Sequence, residues 1–242
     1  MSLAPSPALA VVIPTINEAT SLPRLLDDLA LLVAGGQAEI VVADGGSHDG
    51  TREIATSRGA RVIEAGLGRG RQLRAGVAAA VAPNLWVLHA DARVPANTVA
   101  MVSRHVGEGL ARPYACRLAI QGDGWSLRVI EAGANFRSRL LALPYGDQGL
   151  LVPRNLLEAA GGYDDIPLME DVALALRLRR ISPVRLLPVA VQVSARRWHR
   201  DGPWRRSVRN LWLLLRYLGG ADPVALAEHY RPRSAAATKP RA

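Results

Sequence analysis

The sequence predicts an α/β fold, a mixed and mainly parallel sheet flanked by helices, with an amphipathic helix near the C-terminus. Two observations lead there. Short apolar, β-branched runs alternate with segments of helical spacing through the first half of the chain. Polar clusters then fall directly after those runs, beyond the carboxyl ends of strands, where sheets of this kind bind ligands.

Residues 9–13 read as the first strand. Residues 22–33 carry Leu22, Leu25, Leu26, Leu29 and Leu32 on one stripe and read as a helix. A second strand covers 40–43, and Asp49-Gly50-Thr51 leads into a helix ending near Ser57. A third strand covers 60–63, an Ala-rich helix 70–81, and a fourth strand 85–88. Pro95 opens the next helix, where its missing N–H costs nothing. Further on, residues 114–120 and 148–152 read as strands and 171–180 as a short helix. Residues 184–193 read as one or two strands broken by Pro188.

Residues 204–218 form an amphipathic pattern with Trp204, Val208, Leu211, Trp212, Leu215 and Leu218 on one side. Arg205, Arg206, Arg209 and Arg216 lie mostly elsewhere. The expectation is that this helix docks on the domain or on a second copy in a homodimer; peripheral contact with a membrane is the alternative. One domain over residues 1–230 is expected, followed by a frayed tail from Arg231.

The 242 residues suffice for one large domain, and 49% hydrophobic content excludes a disordered chain. Cys116 is the only cysteine, so no disulfide forms within the chain. No positive charge precedes Arg24, and no run approaches the roughly 20 apolar residues of a spanning helix. These points make a soluble, cytoplasmic protein the expectation. The net charge is +9, and Lys239 is the only lysine. Guanidinium groups bind phosphate as planar forks, which suits anionic partners, although a genome-wide arginine bias explains many of them equally well. Nucleic acid is not expected, since no zinc pattern, RNP motif or basic heptad array is present.

Five clusters carry candidate chemistry. Asp91 closes His89-Ala90-Asp91 after a strand, placed to reach a divalent cation that also holds a diphosphate, or simply to cap a helix. Asp44-Gly45-Gly46-Ser47 allows close backbone approach to a ligand, with Asp44 an acceptor for a base or ribose, or forms a plain turn. Gly68-Arg69-Gly70-Arg71-Gln72 joins a flexible loop, two guanidiniums and a helix start, as a phosphate cradle does. Glu170-Asp171 at a helix start either favours the helix dipole or supplies a general base. Arg196-Arg197-Trp198-His199 brings charge that can stabilise a departing diphosphate. His199 itself reads as a metal ligand, a phosphate donor or a surface histidine.

The order of these clusters resembles glycosyltransferase family 2, which has the GT-A fold. The matching stretches are residues 11–18, 40–51, 68–76, 88–95 and 161–178. The resemblance implies an inverting transferase with a nucleotide-sugar donor, usually a UDP-sugar. It places Pro14, Thr15, Asn17 and Glu18 in the nucleotide pocket, and Asp44 on the base or ribose side, with Gly45 and Gly46 shaping its loop. Arg69, Gly70 and Gln72 would lie beside the nucleotide or diphosphate. Asp91 matches the last acid of the family's Asp-x-Asp metal motif, which implies Mg²⁺ or Mn²⁺. Asp171 matches the usual catalytic base, with Glu170 beside it. The first acid of the metal motif is His89 here, which removes one negative charge and weakens the case for obligatory metal.

A narrower resemblance rests on His89-Ala90-Asp91, Pro144-Tyr145-Gly146-Asp147-Gln148-Gly149, Pro167-Leu168-Met169-Glu170-Asp171 and Ser194-Ala195-Arg196-Arg197-Trp198. Together these are similar to a small selenium-associated bacterial branch, most of all to the selenosugar synthases of selenoneine biosynthesis. That implies UDP-N-acetylglucosamine as donor and selenophosphate as a small anionic acceptor. Arg71, Asp147, Gln148, Trp198 and His199 would then contact the acceptor or its phosphate, with Arg196 and Arg197 at the reacting centre.

Overall fold

A computed structural model describes residues 6–230, apart from the side chain of Arg197. The strands are β1 Leu9–Thr15, β2 Ala38–Asp44, β3 Arg61–Glu64, β4 Asn84–Val87, β5 Ala92–Arg93, β6 Tyr114–Gln121, β7 Leu150–Pro153 and β8 Arg185–Ser194. The helices are α1 Leu22–Ala34, α2 Thr51–Ser57, α3 Arg69–Ala79, α4 Ala96–Gly107, α5 Trp125–Leu141, α6 Arg154–Ala159, α7 Glu170–Ile181, α8 Arg196–Asp201, α9 Pro203–Leu218 and α10 Pro223–Tyr230. A 3₁₀ turn covers Gly146–Gln148. The expected frayed tail lies outside the described residues.

The strands form one sheet in the order β3-β2-β1-β4-β7-β6-β8-β5. β1 pairs in parallel with β2 and β4, and β2 with β3. β7 then runs antiparallel to both β4 and β6, which makes the sheet mixed. β1 sits at the middle of the parallel half and is covered on both faces. Val11 and Ile13 join a core with the buried leucines of α1, whereas Ala10 and Val12 face Leu73 of α3 and Leu174 of α7. A strand buried on both sides reads as a continuous apolar run, which is why residues 9–13 stand out in the sequence.

α3 lies directly on the sheet, because a Cβ on Gly76 would come within 2.5 Å of Val12 Cγ1. At the start of the same helix, a Cβ on Gly70 would lie 2.1 Å from the carbonyl oxygen of Asp164. Gly70 therefore lets the chain leading into α7 rest against α3.

Two alternatives left open by the sequence are decided. β8 is a single strand through Pro188. Its ladder with β6 steps from Ala115 opposite Leu186 to Arg117 opposite Ala190, so the proline sits in an irregularity where no ladder bond is required. The apolar stripe of α9 points outward: Trp204, Val208, Leu211, Trp212, Leu215 and Leu218 are all exposed. The face that docks carries Arg206, Leu213 and Leu214. Both leucines join Leu168, Met169, Val172 and Leu226 in one cluster. Each such leucine contributes about 1.5–3 kcal/mol on burial, and together they fasten α9 and α10 to the first turn of α7.

Candidate active site

The order β2-β1-β4 sets three strand ends side by side, and their exit loops are stitched together. Asn17 takes a left-handed conformation, φ 53°, which Asn tolerates better than most residues. Its backbone N–H donates to Ser47 Oγ at 2.9 Å, and its Oδ1 accepts from the backbone N–H of His48. Glu18 N–H donates to Thr51 Oγ1 at 2.9 Å. Gln72 Nε2, reaching up from α3, donates to the carbonyls of Thr15 and Ala43 at 2.6 and 3.0 Å. A Cβ on Gly45 would meet that amide at 3.0 Å.

Asp44 is fully buried beneath these loops. Its oxygens accept from Thr15 Oγ1, Ser47 Oγ, Arg52 Nε and the backbone N–H groups of Gly46 and Ser47. Burial alone would raise its pKa, but the bonds from Ser47, Arg52 and Gly46 outweigh it and hold the carboxyl well below the usual range. With five donors on two oxygens, Asp44 holds the loop from inside.

Next to these loops, at the end of β4, lies a cleft lined by Arg69, His89, Asp91, Tyr145, Gly146, Asp147, Met169, Asp171, Ser194, Trp198, Arg206, Asn210 and Tyr230, among others. Asp91 and Asp171, 80 positions apart, thus share one wall. The backbone N–H of Gly146 donates to Asp171 Oδ2 at 2.6 Å. A Cβ on Gly146 would lie 2.7 Å from His89 Nε2 and 3.3 Å from Asp171 Oδ2, so His89, Gly146 and Asp171 are in close contact.

Asp171 opens α7 together with Glu170, immediately after Met169, whose φ of 69° is left-handed. The turn brings Asp171 to the cleft and buries Glu170 behind it. Arg69 Nε donates to Glu170 Oε1, an ion pair in which Glu170 is 1% exposed. Burial pushes the Glu170 carboxyl up and Asp171 adds to this, with the Arg69 guanidinium pulling the other way. Asp147 is pushed up to about 6, by burial first and then by the charges of Asp171 and Asp91, against the pull of Arg137 and Arg69. Its Oδ1 is buried without a hydrogen-bond partner.

The C-terminal helices supply further lining. Trp198, 8% exposed, and Arg206, 6% exposed, face the cleft from α8 and α9. Arg206 donates to Asp201 at 3.0 Å and to the Tyr230 hydroxyl at 3.4 Å, and its guanidinium sits 5.4 Å from the Trp198 ring centroid.

Of the residues singled out in the sequence, Arg69, His89, Asp91, Asp147, Asp171 and Trp198 line this cleft, and Glu170 stands behind it on Arg69. Pro14, Thr15 and Asp44 end the adjoining strands, Asn17, Glu18, Gly45 and Gly46 form their exit loops, Gln72 reaches those loops from α3, and Ala90 is buried between His89 and Asp91. Arg71 is turned to Asp165 at 3.1 Å. Gln148 is fully buried, bonded to Ser138 and to the Cys116 carbonyl. Arg196 and His199 are exposed outside the cleft, and the Arg197 side chain lies outside the described residues. Sequence reasoning passed over Arg206, Asn210 and Tyr230. The available signal was the polar face of α9, opposite the apolar stripe that attracted attention.

Solved structures share this architecture. The mannosyltransferase PcManGT from Pyrobaculum calidifontis, in complex with GDP-Man and Mn²⁺, aligns over 93% of this chain and 70% of its own, with TM-score 0.65 and 18% identity. Glucosyl-3-phosphoglycerate synthase from Mycobacterium tuberculosis, in complex with Mn²⁺, UDP and glucosyl-3-phosphoglycerate, aligns over 78% and 70%, with TM-score 0.55 and 20% identity. A mixed sheet with flanking helices and a cleft at the carboxyl ends of its parallel strands is the architecture of the GT-A glycosyltransferases. The chain belongs to glycosyl transferase family 2, whose model matches residues 10–150. Glycosyltransferase AglJ of Haloferax volcanii is 31% identical over 145 residues, 59% of this chain and 47% of the relative. An uncharacterized glycosyltransferase of Mycobacterium tuberculosis is 34% identical over 119 residues, 49% of this chain and 52% of the relative. The chain thus spans about half the length of these curated relatives.

Proposed function

We propose that this chain transfers a sugar from a UDP-sugar, with inversion at C1, to a small anionic acceptor, and that the acceptor is selenophosphate. The observation that carries the reading is the meeting of Asp91, Asp171 and Arg206, from three separate parts of the chain, on one cleft at the strand ends. Family membership supports the transferase chemistry, and a neighbour solved with UDP supports the donor class. The selenium step rests on the resemblance at residues 144–149, 167–171 and 194–198. UDP-N-acetylglucosamine is the donor that resemblance favours.

The residues present fit a divalent cation. Asp147 has a buried carboxylate oxygen without a partner, and it lines the same cleft as Asp91 and Asp171, so carboxylate oxygens are on hand for an ion. Asp91 and Asp147 would hold the ion. Among the described residues no three His, Cys, Asp or Glu side chains are grouped to enclose an ion, so donor oxygens would complete its shell. When bound, such a cation neutralises the charge that grows on a departing diphosphate.

The remaining chemistry belongs to side chains of this protein. Arg69 adds positive charge beside Asp171 while keeping Glu170 neutralised in the interior. Asp171, with Oδ2 accepting from the Gly146 N–H and Oδ1 from the Val172 N–H, is fixed in place and orients the acceptor against C1. With selenophosphate, a selenium lone pair forms the C1–Se bond as the C1–O bond to UDP breaks. Water then attacks phosphorus, the P–Se bond breaks, and phosphate leaves the 1-selenosugar. Selenium is already anionic, so no base is needed for the first step. An alcohol acceptor would instead require Asp171 to take its proton.

The exposed apolar face of α9 favours a second reading, transfer to a lipid-linked alcohol. One assay separates the two: UDP release from UDP-N-acetylglucosamine with selenophosphate, with simple alcohols and with a polyprenyl phosphate in detergent, using GDP-mannose as the control donor. Release that depends on selenophosphate and yields a selenosugar supports the first reading. Release that depends only on alcohols or lipid removes it.

A further inference from the structure

We propose that Trp198 and Arg206 form an oxyanion subsite that binds the phosphoryl group of the acceptor and selects it. The inference rests on the transferase reading above and names the part of the cleft that recognises the second substrate.

Both side chains are more than nine-tenths buried and line the cleft, and each has a donor left over. Arg206 Nε and Trp198 Nε1 are buried N–H groups without a hydrogen-bond partner. A buried donor without an acceptor is costly, and natural structures rarely leave two in one pocket without a ligand for them. An oxyanion satisfies both at once, and a guanidinium edge is suited to bind it.

The charge balance points the same way. Asp201 is the shared partner of three guanidiniums, Arg200 at 2.8 Å, Arg206 at 3.0 Å and Arg209 at 3.6 Å. Of these three only Arg206 lines the cleft, where Asp91, Asp147 and Asp171 come from other parts of the chain with Arg69 among them. A donor diphosphate with its cation suits the carboxylates, which leaves Arg206 for a second anion. Arg206 is also preorganised: Asp201 and the Tyr230 hydroxyl hold its terminal nitrogens, and Leu213 and Leu214 anchor its helix. Little side-chain entropy is then lost on binding.

The test uses the full chain with Arg206→Gln and Trp198→Phe. The second variant keeps an aromatic ring and removes the N–H, so it guards against a folding defect in the first. Two quantities are measured: UDP affinity by calorimetry, and affinity for inorganic phosphate in UDP-saturated protein. Selenophosphate KM is added where transfer occurs. Loss of a charge-assisted bond predicts phosphate affinity weakened about 10- to 100-fold in Arg206→Gln, a smaller weakening in Trp198→Phe, and unchanged UDP affinity. Unchanged phosphate affinity in both variants, or a matching loss of UDP affinity, overturns the proposal and in the latter case assigns the subsite to the donor. If selenophosphate is not a substrate but phosphate binding still depends on Arg206, the subsite stands and the selenium reading falls.

Discussion

Gly146 donates its backbone N–H to Asp171 Oδ2 at 2.6 Å, tying the loop before β7 to the first turn of α7. The same glycine has no room for a side chain, since His89 Nε2 and Asp171 stand where a Cβ would go. One residue therefore sets the spacing between the end of β4 and the start of α7.

Gly146→Ala is expected to keep the fold and lose activity. A misplacement of about 1 Å in a reacting group can cost about 100-fold. UDP release should fall by about that factor, with the far-ultraviolet circular dichroism unchanged. Activity within about twofold of the parent would show that the His89–Asp171 spacing does not matter.

Asp171→Asn separates an ionised nucleophile from one that must be deprotonated. A positioned base contributes about 10²–10⁴-fold, so transfer to an alcohol should drop by that range. Transfer to selenophosphate should drop far less. Equal losses with both acceptors would contradict the division of roles.

Asp147 gives a pH dependence with a defined sign. Its carboxyl is raised to about 6 in the folded protein, from an ordinary value of 3.8. Between those values the folded state holds a proton that the unfolded state has released. This stabilisation is complete below the unfolded value and is lost as pH rises through the folded one. Asp147→Asn should therefore be the more stable variant at pH 7 and show a flatter stability profile from pH 4 to 6, measured by urea unfolding at each pH. Deprotonated Asp147 is also the form able to bind a cation, so Mn²⁺ affinity in the parent should decline below about pH 6. A parent and variant with parallel profiles would place the titration elsewhere.

Arg69→Met leaves Glu170 buried without its cation. Breaking such a pair costs about 3–5 kcal/mol, and Arg69→Met combined with Glu170→Gln should regain most of it. Urea midpoints of the two single variants and the double variant form the cycle. Additive losses would show that the two side chains act independently.

Much of this architecture is legible in the sequence where burial imposes a period. β1, β2, β4 and α1 are recognisable because both faces of the strands, and the Leu22–Leu32 stripe of the helix, are packed. α5 escapes notice because Leu127 and Ser138 alone are fully buried, while Trp125, Val129, Phe136 and Leu140 are exposed. Its apolar residues do not mark a core-facing stripe. For the same reason the apolar stripe of α9 does not tell which face docks on the domain; that face carries Arg206, Leu213 and Leu214. A buried arginine such as Arg206 looks like a solvated charge until Asp201 and Tyr230 are seen beside it. Cluster order along the chain located the carboxylates of the cleft; the place of Arg206 depends on how α8 to α10 fold back, which local pattern does not encode.

If Asp91 and its neighbours form the seat of a nucleotide diphosphate, calorimetric titration with UDP in the presence and absence of Mn²⁺ shows it. UDP should bind the parent protein more tightly with Mn²⁺, Asp91→Asn should lose that gain, and Asp171→Asn should retain it. UDP affinity indifferent to both Mn²⁺ and Asp91 would place the nucleotide elsewhere.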